Sequence, residues 1–359
     1  MTSAAAKAAP RRVRVLVVED SPVAQSLLRL IITADPRLEV CAICASGEAA
    51  IEMLPRLRPD VISMDIRLPG MDGLEATRII MSRQPTPIVV IADAVEHRSL
   101  RISMNALRSG ALSVVEKPPG FAHAAHAVIA ETIRTQLLIM SQVPVIRQRA
   151  AAARAWQPRA QVLLPDPGPP RIAGIVTSTG GPPALARLLG DLPADFPIPL
   201  LVVQHMGATF MPGFAAWLDG IVPMMVRIAQ AGQSPMPGHV YIAPGDRHLT
   251  IGPDAALRLG REPPVHSQRP SGTVLFESLA RICGPRALGV LLTGMGEDGA
   301  EGLRAMRQAG ALTIAEDETT AVVYGMPGAA MRLGAATLSL PLDGITDALR
   351  QAVDGALPC

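Results

Sequence analysis

Residues 171–191 read RIAGIVTSTGGPPALARLLGD, an apolar strand that runs through Ser178 into two glycines and two prolines and then into an amphipathic helix. Strand, bend and covering helix form the repeating unit of a parallel sheet. The unit recurs downstream in PIPLLVVQHM, HVYIAPG, TVLFESLARICG, ALGVLLTG, AEGLRAMRQAG and ALTIAED, with a last helix near 343–354. It also recurs upstream. VRVLVV, PVAQSLLRLIITA, LEVCAIC, GEAAIEMLPRL, DVISMD, DGLEATRIIMSR, PIVVIA, HRSLRISMNALRSG and LSVVEK, followed by a helix over about 121–140, predict five strands and five helices.

The expected fold class is therefore α/β, with two doubly wound parallel-sheet domains, as suits a chain of 359 residues. We place the domains at 13–140 and 171–359, after a disordered tail over 1–12. Between them, over 141–170, Arg147, Arg149, Arg154 and Arg159 precede Pro165, Pro167, Pro169 and Pro170, the composition of a solvated linker.

Composition narrows the function classes. Apolar residues make up 49% and aromatic residues only 3%, so the cores must be built from Ala, Val, Leu, Ile and Met. Lys plus Arg (33) nearly cancels Asp plus Glu (31), which leaves no broad field to attract nucleic acid or an anionic membrane and argues against a DNA-binding output domain. Four scattered cysteines, at 41, 44, 283 and 359, make no disulfide framework and fit a reducing cytoplasm. Cys41 and Cys44 form C-x-x-C, but no second ligand pair follows and the flanking EVCAICA reads as a buried strand, so core packing is expected. The start, MTSAAAKAAPRR, lacks the apolar segment of a signal peptide, and no uncharged apolar run reaches the roughly 18 residues of a membrane span.

In an open parallel sheet, ligands sit at the carboxyl ends of the strands. In the first domain those ends carry Glu19, Asp20, Asp65 and Lys117. Crowded carboxylates repel, and a hard cation such as Mg²⁺ would hold them together through oxygen ligands. Helix capping is the plain alternative. It accounts for Asp20, but IRLPGMDG separates Asp65 from the next helix. The segments VLVVEDSP, DVISMDIRLPGMDGLEATR and VVEKP together resemble the receiver domain of two-component response regulators over about 13–120. The resemblance implies a flavodoxin-like fold in which Asp65 accepts a phosphoryl group from a histidine kinase. Glu19 and Asp20 then join Asp65 in holding Mg²⁺, Lys117 contacts the phosphoryl oxygens, and the peptide before Pro118 is cis. One position departs: Ala92 stands where receivers carry the Ser or Thr whose hydroxyl senses the phosphoryl group.

In the second domain, Gly294, Gly296 and Gly299 form G-x-G-x-x-G between a strand and a helix, with Glu316 and Asp317 after the following strand. Glu297 and Asp298 inside that turn would repel a pyrophosphate, at roughly 1 kcal/mol per contact even in water, so dinucleotide binding is disfavoured. Ser178 ends a strand at the start of a helix, where the main-chain N–H groups of Thr179, Gly180 and Gly181 lack helical partners and form a plausible oxyanion site. A serine nucleophile needs a base and the base a carboxylate. His205 at the end of LLVVQ and Asp298 in the acidic turn supply them, with His248 the rival base and helix capping the plain role for Ser178.

TSTGG, VVQHM, PGHVYIAPGDRH, RPSGTVLFESLA, LTGMGEDGAEGL and AEDETTAVVYGMP resemble the chemotaxis protein-glutamate methylesterase family over most of 171–345. The resemblance implies a Rossmann-like catalytic domain with Ser178, His205 and Asp298 as catalytic residues, supported by Thr179, Gly180 and Met295 and needing no cofactor for the esterase. It further implies methylated chemoreceptors as substrates, glutamine deamidation as a second activity, a receiver that covers the triad until phosphorylated, a cytoplasmic location and no membrane insertion. Val176 and Thr177 replace the Gly-Ala the family carries before the serine, which bears on how tightly the chain bends there. A catalytically decayed scaffold is the competing class, with the intact triad against it.

Overall fold

The structure, a computed structural model, describes residues 11–92, 113–118, 120, 126–143 and 168–354. Residues 1–10 of the tail expected over 1–12, the helix expected around 97–110 and most of the arginine- and proline-rich linker lie outside these residues. Contacts divide the chain into two units, 1–148 and 149–359.

In the first unit β1 (Val13–Val18), α1 (Pro22–Thr33), β2 (Leu38–Cys44), α2 (Gly47–Leu57), β3 (Val61–Asp65), α3 (Gly73–Arg83), β4 (Ile88–Ala92), β5 (Ser113–Glu116) and α4 (His126–Met140) follow in order. The strands form one parallel sheet in the order β2-β1-β3-β4-β5. β3 and β4 are buried throughout, as parallel strands covered on both faces must be. β2 lies at the edge and is only partly buried, so Cys41 and Cys44 are free thiols at a sheet margin, with Cys44 packed into the core. The chain order reverses between β1 and β3, which opens a crevice above their carboxyl ends.

The second unit runs β6 (Ile172–Thr177), α5 (Gly181–Gly190), β7 (Leu200–Gln204), α6 (Met211–Asp219), β8 (Met225–Ile228), β9 (His239–Ile242), β10 (His248–Ile251), β11 (Leu257–Gly260), α7 (Gly272–Cys283), β12 (Ala287–Leu291), α8 (Ala300–Gln308), β13 (Leu312–Glu316), α9 (Met326–Arg332), β14 (Leu338–Leu340) and α10 (Leu342–Val353). Seven strands pair in parallel in the order β14-β13-β12-β6-β7-β9-β8, while β10 and β11 form a separate antiparallel pair. β6 is central. From it the chain builds outward through β7 on one side and later through β12 on the other, so the reversal point lies between β6 and β12. Ser178 follows the first of these strands and Asp298 lies in the loop after the second.

The bend after β6 does not depend on position 176. Val176 is fully buried and fills the space above Gly272, where a Cβ would come within 2.2 Å of its side chain. The turn is made instead by Gly180, at φ +79°, where a side chain would also strike Val322. Among the described residues the cis peptide is Arg269–Pro270, so the bond before Pro118 is trans, contrary to the expectation from the receiver resemblance. No helix among the described residues is long and apolar enough to cross a membrane.

Candidate active site

Parallel pairing sets Thr177 opposite Gln204, so Ser178 and His205 are the next residues along two adjacent strands. Main-chain bonds lock both in place. Ser178 N donates to Thr293 O (3.0 Å) and His205 N to Thr177 O (3.0 Å). The buried Gln204 amide spans the pair, its Nε2 donating to Ser178 O (2.8 Å) and His205 O (2.9 Å).

His205 Nε2 lies 2.8 Å from Asp298 Oδ2, with both side chains nearly buried. This contact fixes the tautomer: Nε2 carries the proton toward the carboxylate, and Nδ1 remains the acceptor. Asp298 receives three further bonds from the start of α7. Ser271 Oγ (2.6 Å) and Thr273 N (3.2 Å) donate to Oδ1, and Gly272 N (2.6 Å) donates to Oδ2. The carboxylate therefore caps a twelve-residue helix at its positive end. Burial pushes its pKa up, but the hydrogen bond and charge of His205, followed by Ser271 and Gly272, outweigh this and hold it at about 2.

The Ser178 hydroxyl makes no hydrogen bond with a described residue, so its proton is not committed to a structural partner there. Thr179, Gly180 and Met295 have main-chain N–H groups with no acceptor among the described residues, as an oxyanion site requires. Gly181 is different: its N–H is spent on Ser178 O (2.9 Å). His248, the rival base by sequence, makes no hydrogen bond with Ser178 or Asp298. It is 1% exposed, with Nε2 against Pro263 O (3.2 Å) and Nδ1 accepting from Ser271 N (3.2 Å), so it steadies the loop that grips Asp298.

Ser271, Gln204, Thr293 and the supporting role of His248 were not singled out in the sequence. Ser271 had a signal, since a serine before an apolar helical run reads as an N-cap, and it does cap α7 through Val274 N (3.5 Å). Thr293 had none, because its role is made by residues far away in the chain.

In the first unit Glu19, Asp20 and Asp65 each direct an oxygen into one space, all within 4.8 Å of one another. Capping is done by neighbours: Ser21 caps α1 and Asp72 caps α3. Lys117 Nζ lies 2.7 Å from Asp65 Oδ2 and 3.0 Å from Glu19 Oε2. Burial raises the pKa of Asp65 against the opposing pull of Lys117, and burial plus Asp65 raises that of Glu19. Burial would lower the pKa of Lys117, but Asp65 and Glu19 raise it instead. Two buried carboxylates with one ammonium, an exposed third carboxylate at the rim and an oxygen-only donor set fit a hard divalent cation. Ala92, at the end of β4 and 3% exposed, offers only a methyl group.

Comparison with known proteins agrees with both halves. The family model for CheB methylesterase matches residues 173–349, and the model for the response regulator receiver domain matches residues 15–129. A protein-glutamate methylesterase/protein-glutamine glutaminase of Paramagnetospirillum magneticum is 53% identical over 96% of this chain and 99% of its own length. One from Nitrosospira multiformis is 43% identical over 95% of this chain and 97% of its own. The crystal structure of the Thermotoga maritima CheB methylesterase catalytic domain is 37% identical and covers 50% of this chain and 97% of that one, with a TM-score of 0.49.

Proposed function

The chain belongs to the CheB methylesterase family and carries a response regulator receiver domain in the same polypeptide, and from that premise we propose that Ser178, His205 and Asp298 hydrolyse glutamate γ-methyl esters on chemoreceptors. The enzyme is a carboxylic ester hydrolase. The observation that carries the residue assignment is the 2.8 Å contact of His205 Nε2 with Asp298, beside the strand end that presents Ser178.

Ser178 Oγ attacks the ester carbonyl while His205 Nδ1 takes its proton. The oxyanion turns toward the N–H groups of Thr179, Gly180 and Met295, each aimed donor contributing about a hundredfold to a thousandfold in rate. Asp298 stabilises the imidazolium as it forms. The imidazolium then protonates the departing methoxide oxygen, the acyl C–O bond breaks, and methanol leaves. Water, deprotonated by His205, resolves the acyl-enzyme to glutamate. A glutamine amide follows the same route and releases ammonia.

Membranes bearing receptors labelled in their methyl groups test the reading. The intact protein should release labelled methanol; receptor binding without release would overturn it and leave a scaffold. We place the reaction in the cytoplasm, where the four scattered cysteines remain reduced.

The receiver supplies the control. Glu19, Asp20 and Asp65 would hold Mg²⁺, which when bound neutralises charge on a phosphoryl group in transfer. Asp65 accepts the group from a histidine kinase, and Lys117 contacts its oxygens. Given a small acyl phosphate and Mg²⁺, the wild-type protein should gain one phosphoryl group by intact mass and Asp65→Asn none. Methanol release should rise with that gain, and equal rates before and after would discard phosphorylation control, the step Ala92 bears on most.

A further inference from the structure

Thr293 is fully buried in the loop after β12, and each of its polar atoms is engaged. Its carbonyl accepts from Ser178 N (3.0 Å) and from Thr177 Oγ1 (2.9 Å). Its hydroxyl donates to Thr179 O (2.9 Å) and accepts from Val323 N (2.9 Å). One threonine thus holds three consecutive residues around the nucleophile. It also stands two residues before Met295, so the same contacts set the two candidate oxyanion loops against each other.

The remaining polar atom of Thr293, its N–H, donates to Glu316 Oε2 (2.8 Å). Glu316 ends β13, the strand beyond β12, and is 1% exposed. A carboxyl buried to that degree is costly unless its bonds serve a purpose. Burial pushes the Glu316 pKa up to about 7, against the opposing pull of its hydrogen bond from Thr293 N. Among the described residues no hydrogen bond or ion pair joins Glu316 to Ser178, His205 or Asp298, and no step of the proposed hydrolysis uses it.

We propose that Glu316 is a positioning residue of the esterase, which acts through Thr293 to hold the nucleophile loop and the Met295 loop in register. The inference rests on Ser178 being the nucleophile. The oxygen that accepts from Thr293 N is what matters, so Gln, which keeps a carbonyl acceptor in the same place, substitutes for Glu, and Ser substitutes for Thr at 293 by keeping the hydroxyl.

The test compares Glu316→Gln with Glu316→Leu and Thr293→Ser with Thr293→Val in the full chain. Each is assayed for kcat and KM in methyl-ester hydrolysis, for the rate at which a fluorophosphonate labels Ser178, and for folding by circular dichroism. Glu316→Gln and Thr293→Ser should stay within about threefold of wild type. Thr293→Val and Glu316→Leu should lose on the order of 30-fold to 100-fold in kcat and in labelling rate with KM within about twofold, the scale of a lost oxyanion contact. Folded Val and Leu variants with wild-type kcat overturn the proposal. So do equal losses in Ser and Val at 293, a comparison that stands even where Glu316→Leu does not fold. Ser178→Ala run in parallel separates the two readings: if it stays active the nucleophile assignment fails, and if it alone is inactive only the positioning role fails.

Discussion

Replacing Ser178 by alanine is expected to lower methanol release by on the order of 10⁵-fold to 10⁶-fold, the scale seen when a hydrolase loses its nucleophile. The fold should be untouched. Ser178 is held by its main chain, through the bond from its N–H to Thr293 and the bonds that Gln204 and Gly181 donate to its carbonyl, and its hydroxyl holds nothing among the described residues. Alanine keeps the Cβ against which Gly294 packs, a glycine whose own Cβ would come within 2.7 Å of it. An unchanged melting temperature together with abolished release is the expected pair of results. Residual activity above a thousandth of wild type would mean that another group attacks the ester.

Asp298→Asn should cost on the order of 10³-fold to 10⁴-fold in kcat with KM changed only a few-fold. Four donors converge on this carboxylate: Ser271 Oγ, Gly272 N, Thr273 N and His205 Nε2. An amide offers one acceptor oxygen, so its NH₂ must face an N–H group, and the imidazolium loses its counter-charge inside a nearly buried site. Stability should report the same loss. The folded pKa of about 2 lies below the ordinary 3.8, so ionised Asp298 stabilises the fold fully above about pH 4, and this is lost as pH falls toward 2. The difference is on the order of 2 kcal/mol. Denaturation against pH should therefore show a shallower acid limb in Asp298→Asn, and a variant with kcat within tenfold of wild type would remove Asp298 from the mechanism.

Much of this site is legible in the chain itself. Ser178 and His205 stand at the ends of unbroken apolar runs, and a parallel sheet buried on both faces requires such runs and presents the residues just beyond them at one rim. Asp298 could be chosen because two acidic residues in a glycine turn do not suit a phosphate. The C-x-x-C strand was less readable: EVCAICA, apolar beyond Glu39, suggested a buried strand, yet β2 is an edge, because strand order is set by crossovers that local pattern does not encode. Val176 looked like an obstacle to a tight bend and is instead packing matched to Gly272.

His248 shows where single-residue reasoning stops. By pattern it competed with His205 as base, since both accompany strands. Its strand proves to be one of the separate antiparallel pair, where Ser271 and Pro263 occupy its two ring nitrogens. Thr293 and Glu316 likewise look ordinary in the chain, and Glu316 stands out there only as the acidic residue of a glycine fingerprint it does not serve.

The order of residues alone determined that there are two α/β units, which strands end in chemistry-bearing side chains, and where glycine must turn the chain, because apolar period and turn preference are local properties. Tertiary structure alone decided that α7 aims its first N–H groups at Asp298, that His205 turns Nε2 to that carboxylate, and that Thr293 links Glu316 to the main chain of Ser178. Those are contacts across 23 to 116 residues of chain, created only when sheet order brings distant strand ends together.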